Sequence, residues 1–114
     1  MFVGNMNILF VCSANKLRSK TAEDYFSEKY VNTDNVFISA GTNIKTCLKE
    51  GTVPLEEWML EWADSIYVME KKHKEEILTY TKEFLNKIIV LGIKDNYSYY
   101  QPELIELLET KVDI

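Results

Sequence analysis

Four short apolar segments, separated by longer segments of mixed polarity, set the pattern of this chain. They are nearly continuous runs of aliphatic, aromatic and small residues, at positions 7–12 (NILFVC), 36–39 (VFIS), 65–69 (SIYVM) and 88–93 (IIVLGI). Runs of this length are typical of strands that are covered on both faces. We therefore predict four buried strands.

Helical periodicity dominates the segments that follow these strands. In segment 19–31, apolar residues recur at spacings of three and four, which places them on one helix face. They are Ala22, Tyr25, Phe26 and Tyr30. Segments 54–63 and 102–112 each open on a proline, which favours a first helical turn, and segment 71–85 also reads as helical. One helix after each strand is the prediction.

Alternation of strand and helix four times predicts a small three-layer α/β domain, with a four-stranded parallel sheet and helices on both faces. The 114 residues suit one domain over 1–114. Met6 lies directly before the first strand, so Met1 to Asn5 are expected to form a loose extension. In such sheets ligands bind beyond the carboxyl ends of the strands, where Cys12 lies.

Composition and charge narrow the choice of partners. Apolar residues make up 46% of the chain and charged residues 27%, as in ordinary globular proteins. A net charge of −5 argues against nucleic acid or an anionic membrane as the main partner. The sequence lacks both a basic, apolar leader and an apolar run of the roughly 20 residues that span a bilayer. A cytoplasmic location is therefore expected.

Metal and disulfide chemistry have few candidate residues. The chain has two cysteines, Cys12 and Cys47, and one histidine, His73. These are too few for a zinc site of the usual ligand count, so we predict no metal and no cofactor. In a reducing compartment both thiols are expected to be free.

The turn after the first strand, SANKLR, carries the candidate chemistry. Cys12 ends the strand, and Arg18 stands where the first helix begins. A helix N-terminus presents unpaired amides and a partial positive charge, which attract anions and favour a cysteine thiolate. The planar guanidinium of Arg18 can hold two phosphate oxygens at once. Simple burial of Cys12 as a small core residue is the alternative.

Two further residues of the turn fit a phosphate-binding loop. Asn15 tolerates the positive φ that a loop needs to turn its amides inward, and the Ser19 hydroxyl is placed to hydrogen-bond the Cys12 thiolate. We therefore predict a phosphate site formed by Ser13, Ala14, Asn15, Lys16, Leu17, Arg18 and Ser19.

The segments VCSANKLRS and SAGT (39–42) resemble the low-molecular-weight protein tyrosine phosphatases. The segments ADSIYVMEKKHKEE and YYQPELIELL resemble a compact bacterial branch of predicted phosphatases, and the resemblance covers nearly the whole chain from Met6. It implies a phosphatase I-like fold, with Cys12 as nucleophile, Arg18 as phosphate clamp, Asn15 as loop brace and Ser19 as thiolate partner. The implied substrate is a phosphorylated protein or a small phosphomonoester.

The same resemblance implies a general acid, an aspartate two residues before an aromatic, on the loop after the last strand. Asp95 and Tyr97 match this pattern. Asp95 would protonate the leaving oxygen and then activate water. A simple polar turn is the alternative reading of this segment. The tyrosines at 97, 99 and 100 either line the pocket mouth or pack their loop onto the last helix.

Several positions depart from the family pattern. Ala14 replaces a common glycine, Leu17 replaces a second cysteine of many members, and Lys16 brings a charge to a position that helps to select substrate. The aromatic residue expected shortly after SAGT is absent, and the segment 42–54 is short. One pocket wall, and phosphotyrosine as the substrate, are therefore left open.

The remaining cysteine, the histidine and the two tryptophans are predicted to have structural roles and no part in the site. Cys47 is expected to be a bystander thiol, and His73, within EKKHKEE, is expected on a solvated helix face. Trp58 and Trp62 lie four residues apart and are expected to pack in the core.

The sequence favours one function and leaves others open. The first is a cysteine-dependent phosphatase that works through a phosphocysteine. A non-catalytic phosphate or phosphopeptide binder requires Arg18 but not a well-placed Asp95. An arsenate reductase on the same scaffold needs further cysteines to relay a disulfide, and only Cys47 is available. A sugar-transport phosphocarrier ranks lower because it does not require Arg18. The oligomeric state is left open.

Overall fold

A four-stranded, entirely parallel sheet forms the centre of the computed structural model, which describes residues 5–114. Its strands, in chain order β1 to β4, are Asn7–Cys12, Val36–Gly41, Ser65–Val68 and Ile88–Val90. They are arranged in the order β2-β1-β3-β4. The predicted loose extension lies outside the described residues except for Asn5.

Helices connect successive strands and follow the last one. In chain order, α1 to α5 are Arg18–Lys29, Ile44–Glu50, Glu57–Trp62, Lys71–Leu78 and Pro102–Lys111, and a 3₁₀ turn, Leu85–Lys87, precedes β4. Pro102 opens α5, as predicted, and Gly51 ends α2 in the left-handed conformation at a φ of 73°. Between residues 5 and 114, no helix is long and apolar enough to cross a membrane.

Helices cover both faces of the sheet and give the three layers that the sequence predicted. On one face α1 and α5 pack against a cluster centred on Phe10, whose ring stacks on those of Phe26, Phe37 and Tyr67. On the other face α3 and α4 cover Leu9, Val11, Ile66 and Val68, among others. The alternation of these residues along β1 explains why its run is continuously apolar. The predicted α/β class is confirmed.

Several elements differ from the prediction. Helix α3 begins at Glu57 instead of residue 54, because Pro54 pairs with Gly41 in an isolated parallel bridge, and α4 ends at Leu78 instead of residue 85. The helix Ile44–Glu50 was not predicted, because it buries only Cys47 and therefore shows no apolar stripe. The strand β4 ends at Val90 instead of residue 93, since Gly92 takes a φ of 71°. Even so, the amides of Leu91 and Ile93 still donate to carbonyls of the neighbouring chain segment, at 2.9 and 2.7 Å.

The two tryptophans do not share a core position. Trp58 is 53% exposed, so the prediction that it packs in the core was wrong, whereas Trp62 packs partly against the cluster under α3. The helix α3 has only six residues and buries Met59 and Leu60. Because these two residues define the face turned to the sheet, Trp58 lies on the outer side.

Topology places Cys12 beside the switch point of the sheet. From β1 the chain passes through α1 to one neighbour, β2, and from β3 it passes through α4 to the opposite neighbour, β4. The crossovers therefore diverge above β1 and β3. A crevice at this point is the usual ligand site of an open parallel sheet.

Candidate functional site

The loop between β1 and α1 carries a run of unpaired backbone amides beside a buried cysteine. Cys12, at the end of β1, is only 3% exposed, and α1 begins at Arg18 after five loop residues. Four consecutive loop amides donate to no acceptor among residues 5–114: those of Ala14, Asn15, Lys16 and Leu17. Unpaired amides before a 12-residue helix form a cradle of partial positive charge.

The chain after β2 braces this loop from outside. Backbone amides and one hydroxyl between residues 42 and 53 donate hydrogen bonds to oxygen atoms of the loop. The pairs are Thr42 N to Cys12 O at 2.9 Å, Asn43 N to Ser13 O at 2.9 Å, Thr52 Oγ1 to Ala14 O at 2.6 Å and Val53 N to Asn15 Oδ1 at 3.1 Å. With its carbonyls held outward, the loop leaves its amides available on the inner side.

Asn15 holds the loop from within. It is 2% exposed and takes a φ of 54°, the left-handed conformation that asparagine tolerates better than most residues. Its amide nitrogen donates to Ser19 Oγ at 2.9 Å and to Ser39 Oγ at 2.8 Å. Ser39 Oγ in turn donates to Glu23 Oε1 at 2.6 Å. The predicted brace is therefore part of a buried polar network.

The direction of each hydrogen bond in this network can be deduced. Val53 donates to the Asn15 oxygen, which fixes the orientation of the amide and makes its nitrogen a donor to both serines. Because Ser19 Oγ accepts from Asn15, its own proton is available to Cys12 Sγ, 3.0 Å away. A hydroxyl that donates to sulfur stabilises a thiolate.

Gly41 lies where a side chain would displace the loop. A Cβ at this position would come within 2.5 Å of both Ser13 O and Cys47 Sγ. We expect Gly41→Ala to lower the free energy of unfolding by about 1–3 kcal/mol and to weaken the binding of inorganic phosphate. Urea unfolding and calorimetric titration with phosphate measure the two effects.

Gly51→Ala is the matched control, because Gly51 has a φ of 73° and an added Cβ would meet no non-adjacent residue within 4 Å in the described part of the chain. Its cost should be about 1 kcal/mol of unfolding free energy, from the backbone alone, with unchanged phosphate affinity. If both variants bound phosphate equally well, the role of Gly41 in shaping the loop would be refuted.

Arg18 is buried at 2% exposure and anchored at one end of its guanidinium. Its Nη1 donates to Glu70 Oε2 at 2.5 Å and to the carbonyl of Ile93 at 2.8 Å. This hydrogen bond from Arg18 is the main cause that lowers the pKa of Glu70. The opposite edge, formed by Nε and Nη2, makes no hydrogen bond among residues 5–114, although Nε lies at ion-pair distance from Asp95, so two parallel N–H groups face the side on which Asp95 lies.

A small pocket of about 100 Å³ lies over the sulfur. It is lined by Cys12, Ser13, Ala14, Lys16, Leu17, Arg18 and Asp95. The structure thus brings the predicted aspartate to the pocket wall, on the loop after β4. Its Oδ1 lies 3.6 Å from Arg18 Nε, and its side chain is 60% exposed. This is a position from which the carboxyl can reach a ligand in the pocket and also reach water.

The tyrosines of the loop after β4 lie away from the pocket lining. Tyr97, predicted to contact substrate, packs against the core cluster under α1 and α5. Tyr99 donates through its hydroxyl to Asp24, and the amide of Tyr100 donates to Thr21 Oγ1 at 2.8 Å. These residues fasten the loop, chiefly to α1 instead of the last helix.

Lys16 stands at the pocket mouth, where the sequence placed a selective residue. Its side chain is 58% exposed, and its Nζ lies 2.9 Å from Glu50 Oε1 on α2. The mouth therefore carries an ion pair, and the unpredicted helix α2 supplies its acidic partner.

Two residues to which the sequence analysis assigned no role in the site, Cys47 and His73, lie against the loop. Cys47 is fully buried, with its Sγ 3.8 Å from Ser13 O, so it supports the turn. The prediction that His73 lies on a solvated helix face was wrong: its side chain is fully buried, and Nε2 lies 2.9 Å from Ser13 Oγ. The charged neighbours of His73 concealed it, because only this residue and Ile77 are fully buried within α4.

Three acidic residues at the site were missed by the sequence analysis: Glu23, Glu50 and Glu70. Only Glu70 left a usable signal, since it directly follows the apolar run of β3 and so lies at the ligand-binding edge of the sheet. Within residues 5–114, no cluster of three or more histidine, cysteine or acidic side chains could hold a metal ion.

These features define an α/β protein with a cysteine and an arginine on either side of a loop whose amides are unpaired among residues 5–114. Solved structures with this fold include a low-molecular-weight protein tyrosine phosphatase from T. tengcongensis, 26% identical over 94% of this chain and 99% of that chain, with a TM-score of 0.68. The tyrosine phosphatase Wzb from Escherichia coli, in complex with phosphate, is 23% identical over 95% of this chain and 94% of its own, with a TM-score of 0.72.

A third match is the YwlE arginine phosphatase from Geobacillus stearothermophilus, 22% identical over 90% of this chain and 85% of its own, with a TM-score of 0.71. The predicted resemblance to the low-molecular-weight protein tyrosine phosphatases is confirmed by the T. tengcongensis structure, over 94% of this chain. The other two structures share the fold. No protein-family model and no curated protein matches the sequence.

Proposed function

We propose that this protein is a cysteine-dependent phosphatase, a hydrolase that cleaves phosphomonoesters through a phosphocysteine on Cys12. The observation that carries the proposal is the convergence of three groups on one pocket. Cys12, Arg18 and four residues of the loop line it, and neither the loop amides nor the Nε–Nη2 edge of Arg18 has a hydrogen-bond acceptor among residues 5–114. Together they supply a nucleophile and the donors that hold the phosphoryl oxygens.

In the first step, the Cys12 thiolate attacks phosphorus and the bond from phosphorus to the ester oxygen breaks. The leaving oxygen takes a proton from Asp95, which reaches the pocket from the loop after β4. Arg18 and the loop amides bind the equatorial oxygens, whose charge they stabilise as the phosphoryl group is transferred.

In the second step, Asp95 takes a proton from water, which attacks phosphorus, and the bond from sulfur to phosphorus breaks. The electron pair returns to sulfur, where the Ser19 hydroxyl at 3.0 Å donates to the restored thiolate. Inorganic phosphate leaves, so the cycle needs no cofactor. A YwlE mutant structure that carries a phosphorylated active-site serine supports phosphoryl transfer to a side chain in a protein of this fold.

The substrate class is a phosphorylated protein or a small phosphomonoester, with aryl phosphates such as phosphotyrosine as first candidates. Matching structures include proteins described as tyrosine and as arginine phosphatases. The lining residues from 12 to 18 and Asp95 include no aromatic side chain, so a substrate ring would have to pack on aliphatic side chains. A single domain over 1–114 in the cytoplasm, without a nucleic acid or membrane partner, completes the proposal.

A non-catalytic binder of phosphate or phosphopeptides is the second candidate. One observation favours it: Asp95 stands 3.6 Å from Arg18 Nε, so its carboxylate can serve as an ion-pair partner instead of an acid. An arsenate reductase is disfavoured, because Cys47 is fully buried beneath the loop and is poorly placed to relay a disulfide outward.

Asp95→Asn separates the two candidates. If Asp95 is the general acid, its loss should slow phenyl phosphate hydrolysis by at least about tenfold more than nitrophenyl phosphate hydrolysis, since nitrophenol leaves without a proton. The measurement is kcat/KM for both substrates in both proteins. Asp34→Asn is the control, because Asp34 is exposed and lies shortly before β2, at the amino ends of the strands and therefore at the opposite end of the sheet from Cys12. Equal losses on both substrates would exclude Asp95 from proton transfer.

A further inference from the structure

His73 is held in one tautomer by the start of α4. The backbone amide of Glu70 donates to His73 Nδ1 at 3.0 Å, so this nitrogen carries no proton. The proton of a neutral imidazole must then be on Nε2, which faces Ser13 Oγ at 2.9 Å. The contact therefore has a direction, from the imidazole to the hydroxyl.

The imidazole is neutral wherever the enzyme would work. Burial, and secondly the positive charge of Arg18, lower the pKa of His73 to about 4. Lys72 acts in the same sense, while the carboxylates of Glu70 and Asp95 oppose the shift without reversing it. From pH 5 upward, the Nε2–H donor is the dominant form.

Ser13 is thereby left with one free donor. Its Oγ accepts from His73, and among residues 5–114 no second partner lies within hydrogen-bond distance of this hydroxyl. Ser13 lines the pocket above Cys12, so its proton can turn toward an oxygen of a bound phosphoryl group. Without His73, the hydroxyl could equally turn its proton away from the pocket.

We propose that His73 is a positioning residue that holds the Ser13 hydroxyl as a hydrogen-bond donor to a phosphoryl oxygen. The proposal rests on the phosphatase function proposed above, but it makes its own claim about binding. It links α4 to the phosphate loop through a single side chain. It also gives a use to a buried histidine that the two chemical steps do not require.

Two amide replacements separate the two nitrogens of the imidazole. In His73→Asn, the Asn oxygen can take the place of Nδ1 and accept from Glu70, but the side chain is too short to reach Ser13. In His73→Gln, the longer amide can place its N–H group near the Nε2 position. Both variants keep a neutral, polar side chain, but only His73→Asn keeps the acceptor for the Glu70 amide and only His73→Gln keeps the donor to Ser13.

Phosphate affinity, measured by calorimetric titration of inorganic phosphate at pH 7, is the primary readout. Ser13→Ala and His73→Asn should each weaken binding by about tenfold, the effect of losing one hydrogen bond to a charged group. The double variant should bind no more than about threefold worse than either single one, because both remove the same interaction. His73→Gln should return to within about threefold of the wild type.

The proposal would be overturned if the affinity losses of Ser13→Ala and His73→Asn multiplied in the double variant. It would also be overturned if His73→Gln bound phosphate as weakly as His73→Asn. Either result would show that His73 acts only through packing. Unchanged affinity in Ser13→Ala would overturn it as well. If the His73 variants do not fold, the tautomer of His73 can be read in the wild-type protein from the nitrogen chemical shifts of its single imidazole. A proton on Nδ1 would contradict the proposal.

Turnover of nitrophenyl phosphate distinguishes the failure of this proposal from that of the proposed function. A wild-type protein that binds phosphate but hydrolyses no ester would refute the phosphatase and leave the binding comparison valid. In an active enzyme, the loss of the Ser13 donor should lower kcat/KM by about tenfold in both Ser13→Ala and His73→Asn. Unequal losses in these two variants would contradict a common route through Ser13.

Discussion

Replacing Cys12 by serine should abolish turnover of nitrophenyl phosphate, with a loss of at least about 10⁴-fold in kcat. The reason is chemical, because a hydroxyl is not ionised at neutral pH and the loop amides cannot substitute for a nucleophile. Binding should survive, since the phosphate loop and Arg18 are unchanged. Steady-state hydrolysis and calorimetric titration with inorganic phosphate test the two expectations.

Cys47→Ser is the matched control for this change. Cys47 is the other cysteine, it is buried, and a serine hydroxyl at that position can donate to Ser13 O as the thiol does. Its kcat should stay within about fivefold of the wild type, because no chemical step uses it. A Cys12→Ser variant with more than about a hundredth of wild-type activity would mean that another group attacks phosphorus.

Replacing Arg18 by lysine should cost about 10³-fold in kcat/KM, although the charge is conserved. The guanidinium is held by Glu70 and Ile93 through Nη1, which presents Nε and Nη2 as a pair of parallel donors. One ammonium group cannot hold two equatorial oxygens in that geometry. Glu70 would still find a cation beside it, so the effect should fall on activity more than on folding.

Thermal unfolding distinguishes lost chemistry from lost structure in the Arg18→Lys variant. A folded variant with kcat/KM within about threefold of the wild type, roughly 0.7 kcal/mol of transition-state binding, would show that Arg18 is not the clamp. Its role would then be to pair with Glu70 inside the fold.

The strands and the sheet were predictable from sequence because burial on both faces leaves a direct trace. A run such as NILFVC is apolar at every position, since Leu9 and Val11 face one cluster while Ile8 and Phe10 face the other. The short helices left no such trace. In α2 a single buried residue, Cys47, decides the packing, and periodicity cannot detect one contact.

Within the site, local geometry was predictable and long-range contacts were not. Cys12, Asn15, Arg18 and Ser19 lie within eight residues, so one strand–loop–helix unit brings them together. Asp95 was identified only through the family resemblance, which implies an aspartate near an aromatic residue on the loop after the last strand. The partner of Arg18, Glu70, lies 52 residues away and depends on the register of β3 against β1.

His73 shows why composition misled the interpretation of α4. Its neighbours are lysines and glutamates, and a helix of this composition usually faces water throughout. The helix has only eight residues; it buries His73 and Ile77 and packs Leu78 partly against the core. A polar residue on that inner face signals a hydrogen-bond partner beneath it, which here is Ser13.

Covalent trapping on Cys12 tests the central claim most directly. The protein is mixed with nitrophenyl phosphate, quenched within milliseconds by a denaturant and digested, and the peptides are examined by mass spectrometry. We predict one phosphoryl group on the peptide that contains Cys12, formed and lost at rates consistent with turnover. Hydrolysis at the full rate with that peptide unmodified at every quench time, or with the phosphoryl group on another residue, would contradict the account.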